Sequence, residues 1–205
     1  MRIDDTSLWQ SFLDGNKQSF ETIYIRYYKN LYEYGMRRTE QEDLVKDCIQ
    51  ELFIKLWTNR KNIGATDNIK YYLLATLKNH LINAGNTLAQ RSTDNLNEAD
   101  HFRLDFTPDT EYMRREHDGE QSKKLLEALN QLTGRQKEVI YLRYFEEMSY
   151  EDIAQLMDIS VKGTYKLLYR ALDALKDILG ISRKDLLLLL LTILESPVYK
   201  AFQKH

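Results

Sequence analysis

Apolar residues recur along most of this chain at steps of three and four, the period of a helix with one buried face. SLWQSFLD, residues 7–14, reads as a short helix closed by Gly15 and Asn16. A second helix is predicted over about 17–37, with Phe20, Ile23, Tyr24, Tyr27 and Leu31 turned inward. A third starts near Glu40 and ends near Asn59. Its stripe is Leu44, Cys48, Leu52 and Leu56, or Ile49 and Phe53 beside them. After the loop NIGATDN, a fourth spans about 69–88, with Tyr72, Leu73, Thr76, Leu77 and Leu81 facing a core.

From Arg91 to about Thr110 the period is lost, polar residues dominate, and Pro108 breaks any helix. The stretch reads as an extended linker. A second helical block begins near Glu111, and Leu125, Leu126, Leu129 and Leu132 close its first helix. Thr133-Gly-Arg-Gln136 is a capping-box signature for a helix running to about Phe145. Ser149 caps a short helix over 150–157, Asp158-Ile159-Ser160 makes a tight turn, and a longer helix runs from Val161 to about Leu179, stopped by Gly180. Residues 183–195 would form one more helix. The fold class expected is all-α: two small helical domains joined by an extended acidic linker, plus a C-terminal helix.

Composition agrees with this. The 205 residues include only 2 prolines and 8 glycines, against 14 tyrosines. Hydrophobic residues at 43% can fill two cores, and charged residues at 29% can cover them. The net charge of −2 argues against a globally basic nucleic-acid binder. Its distribution is uneven, however. Residues 93–120 hold 3 Lys+Arg against 9 Asp+Glu, whereas 1–92 hold 13 against 11 and 121–180 hold 9 of each. The expected division is therefore 1–92, an acidic connector at 93–120, 121–180, and an apolar extension at 181–205. Any DNA contact must come from local patches. The single Cys48 excludes an internal disulfide framework and reads as a small core hydrophobe in a reducing cytoplasm. No signal peptide is recognised at the start. The most apolar run, 186–194, is far shorter than the roughly 20 residues of a membrane-spanning helix.

Three segments carry candidate chemistry. SYEDIAQLMDISVKGTYKLLYRAL has helix-turn-helix form, with Ala154 small where two helices cross. Lys162, Lys166 and Arg170 line one face of its second helix, as phosphate contacts require, though an ordinary helical hairpin with a solvated basic stripe has the same pattern. Residues 62–91 combine Tyr71 and Tyr72 with Lys70, Lys78, Asn79, His80, Asn83, Asn86 and Arg91. Amides read base edges and rings stack on unpaired bases, but tyrosines at helical period fit a core equally well. In DLVKDCIQELFIKLW, the residues Asp43, Asp47, Gln50, Glu51 and Lys55 form a polar face opposite an apolar stripe. That face is either solvated or a docking surface.

Enzyme chemistry finds no constellation. Glu98-Ala-Asp-His101 has Glu-x-x-His spacing once only, in the connector, and His117-Asp118 stands alone. No phosphate loop, nucleophile elbow or Cys/His metal spacing occurs. No catalytic residue, metal or cofactor is expected.

Taken together, these segments resemble the extracytoplasmic-function sigma factors, small members of the sigma-70 family. DCIQELFIKLWTNR is similar to region 2.2, IKYYLLATLKNHLINAGN to regions 2.3 and 2.4, and residues 129–172 to region 4, in the family's order and over about two-thirds of the chain. The resemblance implies that 1–92 binds RNA polymerase core and the −10 element, and that Asp43, Asp47, Gln50, Glu51 and Lys55 dock on the coiled coil of the largest subunit. Asn79 falls at the family's pocket for a flipped −10 base, so Tyr71, Lys78, Asn79, His80, Asn83 and Asn86 are the implied single-stranded −10 contacts. Unstacking that base costs a few kcal/mol, which amide hydrogen bonds in a rigid pocket offset, so melting is driven by binding. The connector would thread the polymerase cleft toward the RNA path, its charge imitating nucleic acid. Domain 121–180, near the polymerase flap region, would read the −35 region through Lys162, Thr164, Tyr165, Lys166, Tyr169 and Arg170. A cytoplasmic protein is implied.

Departures from the family pattern sharpen this expectation. Tyr165 and Leu167 stand where arginines are common, and neither makes arginine's bidentate pairs. Gly163 weakens the helix start by up to ~1 kcal/mol. Reading of the −35 element is expected to be weak or altered, with promoter choice leaning on the −10 element or on a separate DNA-targeting recruiter. The tail 183–205 is either a helix packed on the second domain or a docking site for a partner such as an anti-sigma factor. The alternative class is a free-standing helix-turn-helix regulator of duplex DNA, which would leave region 40–92 unexplained.

Overall fold

The computed structural model describes residues 4–89, 102–104, 124–125, 127–182, 184–186 and 188, with the side chains of 86–89 outside that set. Every regular element among the described residues is helical. The chain forms two compact units, Met1–Glu98 and Ala99–His205.

The first unit holds α1 (Asp5–Leu13), α2 (Lys17–Arg38), α3 (Glu42–Asn59), a 3₁₀ turn (Arg60–Asn62) and α4 (Ile69–Ala89). Local chemistry sets their starts. The Asp4 carboxylate accepts from the Ser7 amide at 3.0 Å, and Asn16 Oδ1 accepts from the amides of Gln18 and Ser19. The Asp4 cap begins α1 two residues before the predicted start. Helices α2, α3 and α4 pack on one another around Ile23, Leu31, Ile49, Leu52, Leu73 and Leu77, all at most 1% exposed. Helix α1 lies on α2, tied by Arg26 Nη1 to Asp5 Oδ1 at 3.0 Å and by the Tyr27 hydroxyl donating to Asp5 Oδ2 at 2.7 Å. Burial, with the Asp5 carboxylate beside it, holds that hydroxyl protonated far above the ordinary phenol range. Trp9 closes the far side. It is 1% exposed, its ring meets Phe12 and Tyr72, and its Nε1 donates to the Gly64 carbonyl at 3.0 Å.

Two inward assignments fail here. Tyr24 is 41% exposed, and Val45, not Leu44, is the fully buried residue at the start of α3. The second change traces to Gly35. A Cβ there would lie 2.6 Å from Val45 Cγ1, so α2 and α3 meet closely only because position 35 has no side chain. Gly35→Ala should destabilise the first unit by ~1–3 kcal/mol, as overpacking does. Adding Val45→Ala should recover part of the loss, and a double-mutant cycle in urea measures the coupling.

The second unit holds α5 (Gly134–Ile140), which continues as a π-helical turn (Tyr141–Phe145), then α6 (Tyr150–Leu156) and α7 (Val161–Leu179). The capping box is present: Thr133 Oγ1 accepts from the Gln136 amide, and Gln136 Oε1 accepts from the Thr133 amide. The single helix expected to Phe145 instead widens at Tyr141, because the Glu146 amide reaches back five residues to the Tyr141 carbonyl. The Tyr141 hydroxyl donates to Glu146 Oε1 at 2.6 Å, which satisfies a carboxylate only 2% exposed. The core is formed by Leu129, Val139, Ile140, Leu142, Ile153, Leu168, Ala171 and Leu175. Phe102 and Leu104 join it, at 3% and 0% exposure, with the Phe102 ring against Tyr141. Residues 102–104 are thus anchored in the second unit and are not solvated connector. The rest of the acidic connector, and the tail beyond 188, lie outside the described residues.

Candidate polymerase and nucleic-acid interfaces

Helix α3 separates its two faces cleanly. Val45, Cys48, Ile49, Leu52, Phe53 and Leu56 are buried, whereas Asp43, Asp47, Gln50, Glu51 and Lys55 are all exposed. Cys48 is 4% exposed, and burial raises its thiol pKa, with Glu51 and Asp47 adding to the effect. Ion pairs run along the exposed face: Lys55 Nζ to Glu51 Oε1 at 2.6 Å and Lys46 Nζ to Glu42 Oε1 at 2.7 Å. The Tyr32 hydroxyl donates to Glu42 Oε1 at 3.0 Å. These partners, Lys46 first, hold the Glu42 carboxyl below its usual range, and Lys55 does the same for Glu51. Such exposed pairs add little stability, so the face is free to exchange partners.

Beside it lies an open groove of about 490 Å³ between α2 and α3. Phe20, Tyr24, Tyr28, Phe53, Ile54 and Trp57 supply most of its lining, with Gln50 at its edge. Tyr24 packs edge-on to Phe53 and against Tyr28, so its outward ring builds a wall rather than hanging free. Ile54 is 55% exposed. The groove was missed in the sequence because its rings share the period of the core. Ile54 did carry a signal: it follows Asp47 and Gln50 at helical steps, an apolar residue on an otherwise polar strip.

Helix α4 packs on both α2 and α3. Its first turn is held by Asn68 Oδ1, which accepts from the Tyr71 amide at 3.0 Å. Asn79 and Asn83 are exposed one turn apart on one face. Tyr71 and Lys78 are half-buried. His80 turns toward α3, with Nδ1 3.5 Å from the Cys48 carbonyl oxygen, so it is more a helix–helix contact than a free reader of bases. The Asn86 side chain and Arg91 lie outside the described residues.

The helix-turn-helix is built from α6 and α7. Ser149 and Ser160 cap the two helices, accepting from the amides of Asp152 and Gly163 at 3.0 Å each. The turn passes through Asp158 at φ 54°, a left-handed position that aspartate tolerates. Arg135 Nη2 donates to the Met157 carbonyl at 2.9 Å and ties α5 to the turn. Ala154, 3% exposed, sits where α6 meets α7. A Cβ at Gly163 would stand 3.2 Å from the Ser160 cap oxygen, a tight approach that glycine avoids. On the outer face of α7, Lys162, Tyr165, Lys166, Tyr169 and Arg170 are exposed. Thr164 is not among them. It is fully buried, and its hydroxyl donates to the Ser160 carbonyl at 3.3 Å, which removes it from the DNA-facing set.

Comparisons with known proteins agree with this layout. The family model for sigma-70 region 2 matches residues 23–89, and that for sigma-70 region 4 matches 122–175, together more than half the chain. RNA polymerase sigma factor YlaC of Bacillus subtilis is 25% identical over 171 residues, covering 83% of this chain and 97% of that protein. The ECF RNA polymerase sigma-E factor of Haemophilus influenzae is 24% identical over 185 residues, covering 86% and 95%. Among solved structures, CnrH in complex with the cytosolic domain of CnrY shares the fold with a TM-score of 0.57 at 19% identity, covering 86% of this chain and 97% of that one. The sigma factor RpoE with the anti-sigma factor NepR from Bartonella quintana gives 0.53 at 20%, covering 81% and 97%. With both helical regions matched in order, the chain belongs to the sigma-70 family of RNA polymerase sigma factors, in its small extracytoplasmic-function form.

Proposed function

We propose that this sigma factor grips core RNA polymerase through the outer face of α3 and the groove beside it. One observation carries the reading: Asp47, Gln50 and Ile54 stand exposed in one strip of α3, and Gln50 and Ile54 line an aromatic groove. A polar rim around an apolar centre is what a protein interface requires. The coiled coil of the polymerase's largest subunit is the occupant that the family relationship implies.

Asn79 and Asn83 lie on α4, the helix packed directly behind α3. Docking would therefore place the amides rigidly with respect to polymerase. A flipped base of the −10 element would be held by them, with Lys78 and Tyr71 alongside, and binding would drive strand separation. The second unit would meet the duplex upstream through α7, and the acidic connector outside 102–104 would thread the polymerase cleft. Of the two solved relatives, CnrH is in complex with the cytosolic domain of CnrY, and RpoE with the anti-sigma factor NepR. An anti-sigma factor competing for the α3 groove, or a DNA-targeting recruiter acting on the second unit, fits the same surfaces. A cytoplasmic location follows from this role.

The test is co-elution of the full chain with core polymerase on size exclusion. A sigma factor moves into the core peak. A chain that elutes alone and still shifts duplex DNA would be a free-standing regulator. Asn79→Ala should co-elute unchanged and yet lower strand opening, read by permanganate footprinting of a promoter selected with the wild-type holoenzyme, by about tenfold. That is the loss of one to two hydrogen bonds in a dry pocket.

A further inference from the structure

Tyr165 occupies the outer face of α7 where an arginine is common in this family, and it is not a loose side chain. Its ring stacks on Tyr150 of α6 with centroids 3.9 Å apart and planes inclined by 22°. Tyr150 is held in turn by Arg143, whose guanidinium lies over the ring at 4.7 Å. Arg143 is fixed as well, since its Nη1 donates to the Met148 carbonyl at 2.7 Å. The π-helical turn at 141–145 carries Arg143 into this position. Three elements thus hold one exposed ring, which remains 50% accessible.

A side chain already ordered in the free protein loses little entropy on binding. What it can recognise follows from its chemistry. A phenol ring lacks the paired donors that read guanine, and in a duplex the base faces are unavailable for stacking. It offers apolar surface. The one apolar group on the floor of the major groove is the 5-methyl of thymine. At about 100° per residue, Lys162, Lys166 and Arg170 form the strip adjoining Tyr165 and Tyr169, placed for phosphates.

We propose that Tyr165, held by the Tyr150–Arg143 stack, is a specificity-determining residue of α7 that selects thymine in the upstream promoter element through its methyl group. This rests on the proposed duplex reading by the second unit. Arg143 and Tyr150 are positioning residues.

The test uses holoenzyme formed from core polymerase and the full chain. Duplexes are selected from a library randomised upstream of the −10 element. Each thymine in the recovered upstream motif is then replaced by deoxyuridine, which removes only the methyl group. At one position or two adjacent ones, deoxyuridine should weaken binding about fourfold, the worth of one buried methyl. Tyr165→Phe should keep this preference. Tyr165→Ala should bind both forms alike, and Lys166→Ala should weaken both equally. If a motif is selected and Lys166→Ala weakens it, but no deoxyuridine matters or Tyr165→Ala still discriminates, the tyrosine assignment is wrong and the duplex reading stands. If no upstream motif emerges and neither Lys166→Ala nor Arg170→Ala has an effect, both fall.

Discussion

Trp9→Ala is expected to remove about 3–5 kcal/mol from the first unit, the range for deleting a buried aromatic. A small domain has only about 5–15 kcal/mol in total, so most of its stability is at stake. Trp9 is buried to 1% exposure and joins three parts of the unit: Phe12 on its own helix, Tyr72 on α4 and the Gly64 carbonyl in the loop between α3 and α4. Without it, α1 loses its ring contact with Tyr72 of α4, and the helix that carries Asn79 loses a support. Trp9→Phe keeps a ring and forfeits the donor to Gly64, so about 1–2 kcal/mol should be lost. Urea unfolding followed by circular dichroism reads both. The two units need not unfold together. The transition of the second unit is therefore an internal control, and a shift in both transitions would refute a local role for Trp9.

Ile54→Asp should leave stability within about 0.5 kcal/mol, because position 54 is 55% exposed. Binding to core polymerase should nevertheless fall by about 30-fold or more, the loss of a residue at the centre of an interface. A carboxylate there would also add to the negative charge that Asp47 and Glu51 bring to the exposed side of α3. Ile25→Asp is the matched control. Ile25 is 70% exposed on α2 and does not line the groove. Competition for core polymerase against a labelled wild-type chain separates the two. Equal affinity of both variants would show that the exposed apolar residues of this unit do not make the contact.

Much of this molecule was legible before any coordinates, wherever the cause is local. Helix α7 begins at Val161 and ends at Leu179 because the Ser160 hydroxyl accepts the Gly163 amide and Gly180 adopts φ 64°. Each is a choice made by one or two residues within a turn, so the letters alone suffice. The capping box at Thr133 and the exposed polar face of α3 were readable for the same reason: a helical period assigns a residue's direction relative to its own axis. The match to sigma regions 2 and 4 likewise lay in contiguous motifs.

Other features were decided only in the tertiary structure, because they depend on where a second element ends or how closely it approaches. Gly35 admits Val45, which displaced Leu44 from the core. Tyr24 shares the period of Ile23 and Tyr27, yet it stays 41% exposed, packing edge-on to Phe53 of α3 and lining the groove between the two helices. Thr164 looked like a DNA contact in sequence and is sealed under the Ser160 cap. Phe102 and Leu104 sit in an acidic stretch and still bury against the second core, since two apolar residues suffice to anchor a segment once a pocket exists. Tyr150 and Tyr165 are 15 residues apart, and no periodicity pairs them. Only the crossing of α6 and α7 brings the rings into contact. Sequence by itself thus determined which helices form, in what order, and to which family they belong. The tertiary structure decided which side chains those helices leave uncovered, because exposure is a property of neighbours and not of the residue.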